Sequence, residues 1–80
     1  MVFKTRGVCS RQIEVDIKDG KIEKVSFLGG CNGNLKAISK LCEGQNAENI
    51  KNILAGNTCG MRPTSCADQL SKALLEALNA

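Results

Sequence analysis

Gly29-Gly30-Cys31-Asn32-Gly33-Asn34-Leu35 divides the chain into two regimes. Ahead of it, apolar and polar residues alternate as in a strand; behind it, apolar residues recur at helical spacing. Glycines at this density permit positive φ and close approach of other groups. Asn34 is placed to cap the helix that follows, leaving Cys31 just ahead of a helix N-terminus. Partial positive charge at such an end favours a thiolate, so a cysteine there reads as a ligand or nucleophile rather than filler.

Working outward, Lys21 to Leu28 forms a strand with Val25 and Phe27 on one face, and Asp19-Gly20 before it is a hairpin turn signal. Ile13, Val15 and Ile17 alternate with Glu14, Asp16 and Lys18, a strand with one buried face. Ile22 is out of phase with Val25 and Phe27, which calls for a G1 bulge at Gly20 or an irregularity near Glu23. A first short strand fits Val2 to Val8. Downstream, Leu35, Ile38, Leu41 and Cys42 share one helical stripe that Gly44 ends. A second helix is expected over 47–55, with Ile50, Ile53 and Leu54 inward, and Gly56 closes it. After an irregular connection over 57–64, Ser65-Cys66-Ala67-Asp68 fits a Ser-x-x-acid capping box. The last helix runs to about Leu78 with Leu70, Leu74, Ala77 and Leu78 as its apolar face. The fold class is α+β: an antiparallel meander of about three strands, then three helices, in a single domain over 1–80.

Eighty residues with two phenylalanines and no Trp or Tyr build a small aliphatic core. Chains of this size bury roughly 60% of their unfolded surface and often need a metal, disulfide or partner as a staple. There is no signal-like opening and no apolar run of membrane-spanning length, so a cytoplasmic setting with reduced thiols is expected. The formal charge of +3 is dispersed and lacks an aromatic platform, which argues against nucleic acid as a partner. Histidine is absent, excluding His-based acid–base catalysis and mixed Cys/His metal sites.

The five cysteines sort by context. Cys42 lies in an apolar stripe and reads as a small buried hydrophobe. Cys9, Cys31, Cys59 and Cys66 fall at element ends, where thiolates can converge. Four thiolates suit tetrahedral zinc, and Arg6, Arg11 or Arg62 could help offset the site's negative charge. No C-x-x-C knuckle is present, so spacing alone leaves zinc, core filling, an iron–sulfur site and a Cys59/Cys66 redox dithiol open.

Thr64-Ser65-Cys66-Ala67-Asp68-Gln69-Leu70 resembles the Thr-Ser-Cys-Pro-Asp signature of the TSCPD domain family. Gly7-Val8-Cys9-Ser10, the Gly29–Leu35 stretch and Gly56-Asn57-Thr58-Cys59-Gly60-Met61-Arg62 are similar to its small stand-alone members, so the resemblance covers nearly the whole chain. It maps the family's four characteristic cysteines onto Cys9, Cys31, Cys59 and Cys66, and leaves Cys42 without a counterpart. Ala67 departs from the signature proline at a position near the helix start, where alanine is well tolerated. The same domain ends adenosylcobalamin-dependent ribonucleotide reductases, where it is thought to bind metal or relay reducing equivalents. The resemblance thus implies a zinc-binding structural or adaptor module, with a thiol-redox carrier or iron–sulfur site as alternatives. Its implied partner is a ribonucleotide reductase or another nucleotide-metabolism enzyme. No catalytic residues and no adenosylcobalamin site are expected in 80 residues, so activity on its own is not expected. The Leu70, Leu74, Leu78 face looks long for so small a protein, which suggests a homodimer through it.

Overall fold

Asp19 and Gly20 both hold positive φ, 53° and 77°, the backbone of a two-residue type I′ hairpin turn. The computed structural model describes residues 1–8, 10–30, 32–58, 60–61 and 63–79, with Asn32 described through its backbone. The turn joins β2 (Ser10–Lys18) to β3 (Lys21–Gly29), and β1 (Val2–Lys4) pairs antiparallel on the far side of β2, giving a sheet of order β1-β2-β3. Three helices follow: α1 (Asn32–Cys42), α2 (Ala47–Leu54) and α3 (Cys66–Leu78). The α+β meander-then-helices architecture expected from the pattern is the one observed.

Register explains the phase of Ile22. Ile17 pairs with Ile22 and Asp16 with Lys24, so Glu23 is the extra residue of a bulge. That insertion turns Ile22 and Val25 to the same face, where they are 1% and 4% exposed. The irregularity is at Glu23; Gly20 belongs to the tight turn. β1 stops at Lys4, short of the expected Val8. The chain turns instead, with Gly7 at φ 71° and the Thr5 hydroxyl donating to the Ser10 carbonyl.

One face of the sheet packs against α3. Ile13, Val15, Ile22, Leu70 and Leu74 are the largest fully buried side chains, and Ala47 and Ala73 are likewise sealed. Small residues at 47 and 73 sit among these larger side chains in the core, and α2 is tied to α3 by the Ser71 hydroxyl donating to the Lys51 carbonyl at 2.7 Å. The Leu70, Leu74, Leu78 face is therefore covered within one chain: the first two are 0% exposed and Leu78 is half-buried against the core. The length of that face does not by itself call for a second chain.

Three details of the helices depart from the periodicity. The first begins at Asn32, so Asn34 lies inside it rather than capping it. Leu41 and Ile53, expected inward, are 74% and 65% exposed, while Ile38, Cys42, Ile50 and Leu54 face the core. An 11-residue and an 8-residue helix each meet their neighbours along a narrow strip, which leaves the margins of a wide apolar stripe in water. Leu41→Gln and Ile53→Gln should each change stability by less than about 0.5 kcal/mol in thermal denaturation, as exposed positions do. Among the described residues no helix is long and apolar enough to cross a membrane.

Candidate functional site

Ser65 takes an extended backbone (φ −147°, ψ 171°) immediately ahead of α3, and its hydroxyl accepts the Asp68 N–H at 3.1 Å. That is an N-cap, which satisfies one of the helix's orphan donors. The second half of the expected capping box takes a different form. The Asp68 carboxylate accepts the Gly56 N–H at 2.8 Å and the Thr64 hydroxyl, tying the end of α2 to the start of α3. Lys72 approaches it at 3.7 Å. These bonds favour the charged form, with the Thr64 hydroxyl first and the Gly56 amide next, and hold the Asp68 carboxyl below the usual carboxylate range despite its burial.

The network extends in both directions. Gln69 donates to the Thr64 hydroxyl at 3.0 Å and accepts the Arg6 N–H at 3.2 Å, anchoring the loop after β1. The Ser65 hydroxyl donates to the Asn57 carbonyl, and the Asn57 amide group returns a bond to Ser65 at 3.3 Å. Thr64, Ser65, Asp68 and Gln69 are all buried, and no buried side-chain polar atom among the described residues lacks a partner. Short-range pattern revealed the cap; the roles of Thr64 and Gln69, whose bonds span 4 to 63 positions along the chain, gave no such signal.

Within this frame Cys66 is the first residue of α3 and is half-buried, its sulfur 3.2 Å from the Ser10 hydroxyl. Ser10 is itself buried and pairs with Gly29 across the β2–β3 ladder. Cys9, Cys31, Cys59 and Arg62 lie outside the described residues; among those described, no group of three or more Cys, Asp or Glu side chains is placed to hold a metal. Ser10 is a site residue that sequence reasoning missed, since nothing local pairs position 10 with position 66. Arg6 and Arg11 are exposed.

Cys42 is 5% exposed in the core, and burial pushes its thiol up from the ordinary range. It should be inert to a thiol reagent until the chain unfolds, and Cys42→Ala should cost about 1 kcal/mol of transfer and cavity energy. Thiol titration with and without denaturant checks the first point, and urea unfolding the second.

The arrangement of these residues is that of a known signature, and the model of the TSCPD domain matches residues 1–78. The chain belongs to the TSCPD domain family. No match was found among curated proteins or among solved structures. In this TSCPD chain the described residues of the signature divide the structural work. Thr64 orders the Asp68 carboxylate, Ser65 caps α3, Cys66 opens it, and Asp68 clamps the α2 end. Ala67, standing where the signature has proline, is the second residue of α3. The N–H there has no intrahelical acceptor in any case, so the exchange leaves the TSCPD cap unchanged.

Proposed function

We propose that this TSCPD chain is a small zinc-binding structural or adaptor module, with Cys9, Cys31, Cys59 and Cys66 as the ligands. The observation that carries the reading is a convergence of their described sequence neighbours on the first turn of α3. Ser10, next to Cys9, contacts the Cys66 sulfur; Gly29, two positions before Cys31, pairs with Ser10; Asn57, two before Cys59, bonds Ser65. The donor set is also suitable, because thiolates alone satisfy tetrahedral zinc. Cys66 would hold the metal with the Ser10 hydroxyl as a neighbour that can donate to its sulfur, an outer contact of the kind that orients ligands. When bound, zinc supplies folding free energy that an aliphatic core of this size lacks.

A cytosolic setting, where thiols stay reduced, belongs to this reading. The partner class, a ribonucleotide reductase or another nucleotide-metabolism enzyme, rests on the family resemblance alone. Metal analysis of protein purified without chelator tests the proposal and should find about one zinc per chain with a single readily titrated thiol class appearing only on chelation. Metal-free protein with four accessible thiols would sink it. A reversible two-electron couple lost in Cys59→Ser would instead establish the redox-carrier alternative, and a brown anaerobic preparation the iron–sulfur one.

A further inference from the structure

β3 is an edge strand, and its two halves are treated differently. The first half is covered by the α1–α2 connection: the Ile22 N–H donates to Gln45 at 2.8 Å, the Gly44 N–H to Ile22 at 2.7 Å, and the Ala47 N–H to Gly20 at 2.9 Å. Beyond the Glu23 bulge that cover ends. Val15 exchanges both backbone bonds with Met1 on the β1 side (2.9 and 3.0 Å). In an antiparallel ladder, Val15↔Val25 is therefore a non-hydrogen-bonded pair, and the N–H and C=O of Val25 point away from the sheet. Phe27, two residues on, repeats the orientation. Neither has an outward backbone partner among the described residues.

These groups open into a groove of about 610 Å³ between β3 and α1. Its helical wall carries Lys36, Ser39 and Lys40, with Glu43 toward one end. Lys36 and Lys40 are exposed and have no acidic partner among the described residues. Residues i and i+4 on a helix stand about 6 Å apart. Alternate residues of a strand stand about 6.7 Å apart on one face. The two spacings match.

We propose that the open half of β3 is a docking edge for an extended acidic segment of a partner protein. The segment adds a fourth strand at Val25–Gly29, with carboxylates at every second position facing Lys36 and Lys40. Main-chain bonds give such an added strand its affinity, and the charge spacing gives its specificity. A second copy of this chain is a poor occupant. Its own edge strands carry lysines at positions 4, 21 and 24, and its acidic alternate pair, Glu14 and Asp16, is in the central strand β2. The proposal involves β3 and α1 only and does not depend on the cysteines binding metal.

The test is an amide-resolved NMR titration of the full chain with a capped peptide alternating aspartate and valine, about seven residues long. Saturable shifts and slowed exchange at the Val25 and Phe27 amides are expected. The K36E/K40E variant, its fold checked by circular dichroism, should bind at least about tenfold more weakly, as should a peptide with lysine replacing aspartate. The same acidic peptide with every backbone amide methylated should also lose about tenfold, because it keeps the charge and lacks the donors. The last two arms use the unaltered protein, so they decide the matter even if the double variant misfolds. No saturable binding, equal binding of the methylated peptide, or Val25 and Phe27 protection that rises with protein concentration alone would each overturn the proposal.

Discussion

On the zinc reading proposed above, replacing Cys66 with serine should take bound zinc from about one per chain to near zero and lower Tm by more than about 20 °C. Structural zinc contributes roughly 10–16 kcal/mol in finger peptides, so the loss of even part of that exceeds any side-chain effect in a domain of this size. The substitution leaves the described contacts of the site in place. A serine hydroxyl can keep the contact with Ser10, now 3.2 Å from the sulfur, and the helix start is capped by Ser65 rather than by Cys66. The comparison that isolates the metal is made by calorimetry with and without chelator. In zinc the variant and the parent should differ widely; in excess chelator they should agree within about 1 kcal/mol. Equal stability under both conditions would show that the sulfur is no ligand.

The second large effect falls on Asp68. Asp68→Ala leaves the Gly56 N–H and the Thr64 hydroxyl without their acceptor in a buried site, at a cost of about 2–4 kcal/mol. Asp68→Asn keeps the shape and one acceptor oxygen but loses the charge, and should cost about half as much. The charge makes the difference pH-dependent. The folded-state carboxyl titrates below its ordinary value of 3.8, so as pH falls the unfolded chain takes the proton first. The advantage of the parent over Asp68→Asn is therefore full above that value. It shrinks as pH falls through it, and is gone once pH is below the folded-state value. Urea unfolding of both proteins between about pH 3 and pH 7 measures this, and the difference at each pH cancels any acid sensitivity the two share, including that of a metal. A difference that did not vary with pH would mean that the hydroxyl and amide, rather than the ionised carboxylate, account for the clamp.

The folded molecule shows why some of this was legible in one dimension. The hairpin depends on Asp19 and Gly20 alone, because only residues tolerant of positive φ close a two-residue turn, and the turn then sets the β2–β3 register. The phase slip at Ile22 was visible because a strand with one buried face tolerates no error of one residue. The cap at Ser65 was visible because it bonds only three residues ahead. Leu41 and Ile53 misled because periodicity reports the direction a side chain takes from its helix, and not whether another element waits there. Asp68 misled in a related way. Its spacing from Ser65 suits a capping box, but Gly56 and Thr64 compete for the same carboxylate, and the buried pair prevails.

The amino-acid sequence by itself determined the family, the order of strands and helices, and the burial of Cys42, because each rests on local pattern or a contiguous signature. The tertiary structure alone decided that position 10 meets position 66 and that the carboxylate at 68 clamps the end of α2. It also decided that, among the described residues, half of β3 is left with its backbone open. These are contacts between elements distant along the chain. They follow from how one small sheet can be covered by three short helices, a packing problem whose solution no window of neighbouring residues contains.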